Sequence, residues 1–216
     1  MPYGEKTKDQ LLEYSKAAFR FFEEQRVKAV VMACNTTSAV VYDELKDKFD
    51  FKLYPLIQTV AKSISNMGYK RVGVFATPAT VMSHAYKKAL SGIDVAEIAC
   101  PSWVKIVESN SLKTEFAKIE VEKYIKEMLK YNPDKIILGC THYPYLIKEL
   151  SACAPEDIFI NPAQIYVNEI KKDLKHNGWV NSKISKGYDK FFASQNPEKF
   201  ITSGKMFYDV KNCTLL

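Results

Sequence analysis

The sequence lacks several features that would place it in other protein classes. No stretch approaches the roughly 18 consecutive apolar residues of a membrane helix. The polar residues 1–8 lack the apolar run that a signal peptide needs. The five cysteines are odd in number and include no Cys-x-x-Cys pair, which argues against a disulfide framework or a zinc ribbon. We therefore expect a cytoplasmic protein with reduced thiols.

Arginine is scarce as well. The only arginines are Arg20, Arg26 and Arg71, so the formal net charge of +6 comes almost entirely from lysine. The lysines stand beside glutamates, as in residues 122–127, a pattern typical of solvated helix faces. Nucleic-acid-binding proteins usually concentrate Arg and Lys on one element. We expect neither nucleic acid nor a membrane as a partner.

What the sequence does contain is a regular alternation of short apolar strands and helices. With 216 residues, 47% of them hydrophobic, the chain is long enough for a sizeable core. Strands are predicted at 29–33, 53–55, 71–76, 95–99, 135–139 and 157–160, and the main helices at 7–25, 56–67, 114–131 and 162–175. This order predicts an α/β fold with mainly parallel sheets covered by helices. After Gly178 the segments are shorter and more polar, with a last helix from residue 196.

One sequence pattern occurs twice. Residues 30–36 and 136–142 each read as an apolar strand that ends in a small residue, then a cysteine, then polar residues that open a helix. Cys34 and Cys140 are 106 positions apart (140 − 34), which suits two similar domains facing each other across a cleft. Ligands of open α/β sheets bind at the carboxyl ends of strands, beside free helix N–H groups. The helix N-terminus should also lower each thiol pKa toward neutrality.

Other interpretations of the cysteines remain open. Cys34 and Cys140 could be small buried core residues, the usual fate of a free cysteine. Zinc held by these two residues and His142 would lack a fourth ligand. His142 could act as a general acid/base or tune the Cys140 thiol, but hydrolysis by this Cys-x-His pair lacks an orienting third group. No role is expected for Cys100, Cys153 or Cys213.

Four motifs together resemble those of glutamate racemases. They are Pro-Tyr-Gly-Glu-Lys at 2–6, Ala-Cys-Asn-Thr at 33–36, Gly-Val-Phe-Ala-Thr-Pro at 73–78 and Gly-Cys-Thr-His-Tyr-Pro at 139–144. They stand in the family's order and at about its spacing, so the resemblance covers essentially the whole chain. Any one motif alone would be weak, whereas the set is specific.

The resemblance implies both an architecture and a mechanism. The fold would be two pseudo-symmetric α/β domains, formed by 1–57 plus 165–216 and by 58–164, with the active site in the interdomain cleft. Cys34 and Cys140 would be the catalytic residues on opposite sides of the substrate α-carbon. One thiolate would remove the α-proton and the opposite thiol would return a proton, with no cofactor and no metal. In the family the first cysteine deprotonates D-glutamate and the second deprotonates L-glutamate.

The resemblance also implies the remaining site residues. His142 would assist Cys140 as a catalytic residue, and Glu108 would supply a carboxylate to the same half-site. The substrate would be held by Pro2, Tyr3, Gly4, Asn35, Thr36, Thr77 and Thr141. The expected function is the interconversion of L- and D-glutamate, which supplies D-glutamate for peptidoglycan. The expected partner is this small-molecule substrate, and a homodimer is left open.

The start of the chain departs from the family pattern. Relatives begin with a strand that ends in an Asp-Ser-Gly loop, followed by a helix and a second strand, ahead of the Pro-Tyr-Gly motif. The resemblance therefore predicts a preceding unit of roughly 30 residues, and little activity from this chain without the Asp of that loop. The alternatives are a racemase of aspartate or another amino acid, or a non-catalytic remnant that binds a ligand or a protein.

Overall fold

The computed structural model describes residues 3–181 and 187–216. Contacts between residues divide the chain into two units, Met1–His176 and Asn177–Leu216. None of the helices in the described part is both long and apolar enough to cross a membrane.

The strands and helices of the described residues follow the alternation that the sequence predicts. The strands are β1 (Ala29–Met32), β2 (Lys52–Pro55), β3 (Arg71–Ala76), β4 (Asp94–Ala99), β5 (Lys135–Gly139), β6 (Phe159–Ile160), β7 (Phe192–Ala193) and β8 (Thr214–Leu215). The helices are α1 (Lys8–Glu24), α2 (Asn35–Leu45), α3 (Leu56–Ser65), α4 (Pro78–Ser83), α5 (Ala85–Ala89), α6 (Trp103–Glu108), α7 (Glu115–Leu129), α8 (Ile147–Ser151), α9 (Pro162–His176) and α10 (Pro197–Gly204).

The first layer of the larger unit is a two-stranded parallel sheet, β1–β2, packed with α1 and α2. Helix α1 is capped by Thr7, whose hydroxyl accepts the N–H of Gln10 while the Gln10 side chain accepts the N–H of Thr7. This reciprocal cap satisfies two otherwise free helix donors. The core between these elements is built from buried apolar side chains, among them Leu11, Phe19, Val41, Leu45 and Phe51.

A four-stranded parallel sheet with the order β4–β3–β5–β6 forms the centre of the same unit. Because side chains alternate along a strand, β5 sends Ile136 and Leu138 to one face and Ile137 to the other. The first face packs on α6, α7 and α8, and the second packs on α3, α5 and α9. The prediction of parallel sheets covered by helices is therefore confirmed.

The smaller unit has its own short parallel pair, β7–β8, and helix α10. The aromatic ring of Phe191 lies 6.3 Å from that of Phe200 and 5.9 Å from that of Tyr208. The predicted last helix is confirmed, whereas the sequence pattern did not indicate the β7–β8 pair.

Two local predictions need correction. Strand β6 is shorter than predicted because residues Glu156–Ile158 form a 3₁₀ turn ahead of it. Cys140 is followed by another 3₁₀ turn, Tyr143–Leu146, before α8 begins. The division into domains 1–57 plus 165–216 and 58–164 stays a prediction.

Candidate active site

The two cysteines stand just beyond the carboxyl ends of parallel strands. Cys34 follows β1 and is the N-cap residue of α2, where its side chain is half-buried. Cys140 directly follows β5 and is 7% exposed. The charge of a Cys34 thiolate raises the pKa of Cys140, so the two sulfurs lie within electrostatic reach of one another. A sulfur separation of roughly 6–8 Å, set by the need of both to reach one α-carbon, stays a prediction.

A chain of three side chains runs outward from Cys140. The Cys140 Sγ lies 3.7 Å from Nδ1 of His142, and the His142 Nε2 lies 3.2 Å from Oε1 of Glu108, at the end of α6. Since a carboxylate accepts the Nε2 proton, the neutral ring keeps Nδ1 as an acceptor that faces the thiol. His142 is therefore arranged to take a proton from Cys140 and to give it back.

The predicted lowering of the thiol pKa is wrong for Cys140. Burial raises the pKa of Cys140 to about 12, because an anion is poorly solvated in a protein interior. The backbone N–H groups of His142 and Tyr143 lower the pKa of Cys140, but by less than burial raises it. Only a short 3₁₀ turn follows Cys140, so the dipole of a full α-helix is missing there. In the free protein this residue is a thiol at neutral pH.

Three threonine hydroxyls lie together, those of Thr36, two residues after Cys34, of Thr77, directly after β3, and of Thr80 on α4. Thr36 Oγ1 is 2.9 Å from Thr77 Oγ1, and Thr80 Oγ1 lies 3.0 Å from Thr77 Oγ1 and 3.3 Å from Thr36 Oγ1. All three residues are buried. Gly4 packs directly on this cluster, since a Cβ at its position would lie 2.6 Å from the Thr77 Cβ. The structure thus brings three of the predicted substrate residues together, namely Gly4, Thr36 and Thr77.

Residues 3–5 also interact with groups near both cysteines. The pKa of Tyr3 is raised by burial and by the charge of Cys34, which places its phenol near that thiol. Glu5 forms an ion pair of 2.8 Å with Lys105 on α6, the helix that ends at Glu108. The loop is therefore linked to the Cys140 half-site.

The other predicted substrate residues differ in burial and in hydrogen bonding. Asn35 is 2% exposed, and its Oδ1 accepts a hydrogen bond of 2.7 Å from the Tyr86 hydroxyl. Thr141 follows Cys140 and has an exposed side chain. Pro2 lies outside the described residues.

The motifs did not reveal every residue at this site. Thr80 contacts Thr36, and Lys105 contacts Glu5, both of which are residues of the motifs. Tyr86 reaches Asn35 from 51 positions away. The Thr-x-x-Thr spacing at 77–80 is a helix-cap pattern that could have indicated Thr80. No local sequence signal indicates Tyr86. In the ranges 3–181 and 187–216, no group of three His, Cys, Asp or Glu side chains is placed to hold a metal ion.

Comparison with known proteins decides the family. The profile described as Asp/Glu/hydantoin racemase matches residues 3–170. The chain belongs to this racemase family. Its relatives include a glutamate racemase of Trichodesmium erythraeum (strain IMS101), which is 35% identical over 205 residues, 93% of this chain and 75% of the relative.

Solved structures of racemases have the same fold. Glutamate racemase from Francisella tularensis subsp. tularensis SCHU S4, in complex with D-glutamate, superposes with a TM-score of 0.89 at 26% identity, covering 100% of this chain and 83% of that one. Glutamate racemase from Thermus thermophilus, in complex with β-chloro-D-alanine, gives a TM-score of 0.91 at 26% identity, with coverages of 100% and 82%. The similarity includes the parallel sheets that carry the cysteines.

Proposed function

We propose that this protein is a glutamate racemase that interconverts L- and D-glutamate without a cofactor, using Cys34 and Cys140 as the two acid/base residues. The observation that carries the proposal is the relay from Cys140 through His142 to Glu108. A second cysteine, Cys34, stands at the end of β1, a strand of the other parallel sheet. Two thiols are what a two-base mechanism requires, because inversion needs proton removal on one face and proton return on the other.

The geometry supports a specific proton path for the Cys140 half-reaction. His142 accepts the thiol proton at Nδ1 while Glu108 stabilises the imidazolium, and the resulting thiolate removes the α-proton of L-glutamate. The Cys34 thiol then delivers a proton to the opposite face. The carbanion formed between these steps needs donors in a water-poor site, and the buried hydroxyls of Thr36 and Thr77 are suited to a substrate carboxylate.

A thiol hydrolase is the competing chemistry. The sequence argument against it, that the Cys-x-His pair lacks an orienting third group, is wrong because Glu108 contacts His142. A hydrolase nevertheless has no use for Cys34 at the second strand end. Racemisation uses both cysteines, so we favour it over hydrolysis.

The activity is tested by incubating the protein with L- or D-glutamate and measuring the opposite enantiomer by chiral liquid chromatography. We expect conversion in both directions, and its loss in Cys34→Ala and in Cys140→Ala. L-Aspartate tests the alternative substrate, and γ-glutamyl amide hydrolysis tests the competing chemistry. Conversion that survives both substitutions, or faster turnover of aspartate, would contradict the proposal. The same assay measures how much activity this chain has, which the sequence predicts to be low.

The proposed setting follows from the product. D-Glutamate is a building block of peptidoglycan, whose precursors are made in the cytoplasm, so we propose a cytoplasmic role in cell-wall synthesis.

A homodimer is part of the proposal, and sedimentation velocity of the purified protein tests it. A single species at the 24.7 kDa mass of one chain would contradict it.

A further inference from the structure

The side-chain amide of Asn35 is only half satisfied. Its Oδ1 accepts the Tyr86 hydroxyl at 2.7 Å, whereas its Nδ2, although buried, has no hydrogen-bond partner among the described residues. A buried N–H group without an acceptor costs free energy, so folded proteins seldom leave one unused. Asn35 stands directly after Cys34, at the first position of α2. The unused donor therefore belongs to the residue next to one of the two cysteines.

The hydroxyl of Tyr86 fixes the orientation of the Asn35 side-chain amide. It lies on α5 and is fully buried. Burial raises the pKa of its phenol far above the ordinary value, and the charge of Cys140 raises it further. The phenol therefore keeps its proton and acts as a donor to Asn35 Oδ1, which turns Nδ2 to the opposite side.

The position of Tyr86 connects the two half-sites. Its Cε2 atom lies 3.0 Å from the point where a Cβ on Gly139 would stand, so the ring packs on the residue just before Cys140. Its hydroxyl reaches the residue just after Cys34. The same side chain thus sets the spacing between the two strand ends and the direction of the Asn35 amide.

We infer that Tyr86 is a positioning residue that orients Asn35 so that Nδ2 donates a hydrogen bond to a carboxylate oxygen of the bound amino acid. The inference rests on the proposed racemase function and adds Tyr86 as a positioning residue behind Asn35. A carboxylate is the acceptor that suits the site, because it pairs with the free N–H group beside the threonine hydroxyls. Tyr86 itself does not touch the substrate.

The first test is Tyr86→Phe, which keeps the ring on Gly139 and removes only the hydroxyl. Loss of the orienting hydrogen bond should raise KM for glutamate about 5- to 10-fold, since a single hydrogen bond is worth about that factor. The kcat should change less than about threefold, because a contact made equally in the ground and transition states affects KM alone. Tyr54→Phe is the matched control, since it removes a buried phenol's hydrogen bond to Asp173 and should leave KM unchanged.

A double-mutant cycle distinguishes positioning from general packing. In an Asn35→Ala background, Tyr86→Phe should raise KM no further, because its effect passes through the amide. Independent, multiplying effects of the two substitutions would overturn the inference. A drop in kcat with unchanged KM for Tyr86→Phe would also overturn it.

A spectroscopic readout separates this inference from the activity. In ¹⁵N-labelled protein, the Asn35 side-chain NH₂ signals can be identified by their loss in Asn35→Asp. We expect them to shift or broaden in Tyr86→Phe and to respond to D-glutamate only in the wild type. Unchanged signals in Tyr86→Phe would refute the positioning role whatever the turnover. A wild type whose Tyr86-dependent signals respond to D-glutamate, but which converts no glutamate, would refute the proposed racemase activity and not the carboxylate contact. Wild-type signals that do not respond to D-glutamate would refute the contact.

Discussion

The protonation state of Cys140 is the residue-scale feature on which the chemistry depends most. Its pKa of about 12 makes it a thiol throughout the neutral range. Because only the thiolate reacts with iodoacetamide, we predict slow alkylation of Cys140 near pH 7. The rate should rise by about tenfold per pH unit and reach its plateau only near the raised pKa.

Peptide mapping by mass spectrometry after timed alkylation between pH 7 and 11 measures this rate. The matched control is the same protein in urea, where Cys140 should level off near an ordinary thiol pKa of about 8.5. A plateau near pH 8–9 in the folded protein would show that burial does not govern this thiol.

Single residues show what the sequence could and could not predict. The motifs predicted that Gly4, Thr36 and Thr77 come together, because resemblance to a family carries over contacts between distant motif residues. They did not predict Tyr86, whose contact with Asn35 depends on how α5 packs against α2. The Cys140 pKa was predicted in the wrong direction, since burial depends on the complete fold and not on the helix that follows.

At the scale of elements, the approach of β5 to β3 fixes where Cys140 stands. A Cβ on Gly139 would lie 2.8 Å from the backbone oxygen of Phe75 and 3.0 Å from the ring of Tyr86. We predict that Gly139→Ala forces the strands apart at a cost of about 1–3 kcal/mol, the range for overpacking. This corresponds to roughly 2–4 °C in Tm for each kcal/mol in a chain of this size. Displacement of Cys140 should also lower kcat/KM, by up to roughly 10²-fold for a shift of about 1 Å.

Gly73→Ala on β3 is the matched control. Its Cβ would meet the sulfur of Met128 at 2.4 Å, and a flexible methionine side chain can move aside more readily than backbone. Scanning calorimetry and steady-state kinetics of both variants give the comparison. An equal or larger effect of Gly73→Ala on both Tm and kcat/KM would contradict the assignment of Gly139 as the close contact.

The elements themselves were largely predictable. Apolar runs and helix caps gave β3 and β5 with correct bounds, since a buried parallel strand reads as a short continuous apolar segment. The 3₁₀ turn Tyr143–Leu146 was missed because its residues also fit an α-helix. The turn Glu156–Ile158 was missed because Ile158 continues the apolar run of β6. The β7–β8 pair was missed because two-residue strands leave almost no periodicity to detect.

At the scale of the whole molecule, the two half-sites are unequal. His142 and Glu108 support Cys140, while the Cys34 side chain forms no capping hydrogen bond with α2. Among the described residues, no carboxylate or imidazole is hydrogen-bonded to the Cys34 sulfur. General acid/base assistance is worth about 10²–10⁴-fold in rate. The proton transfers that use Cys140 as the base should therefore be the faster ones.

Exchange of the glutamate α-proton in deuterated water tests the two-thiol account most directly, since it reports each half-reaction without requiring inversion. Proton NMR would follow L- and D-glutamate separately with the wild type, Cys34→Ala and Cys140→Ala. We predict faster exchange from L- than from D-glutamate, with the L-exchange retained in Cys34→Ala and abolished in Cys140→Ala. Faster exchange from D-glutamate, or L-exchange that persists in Cys140→Ala, would contradict the account.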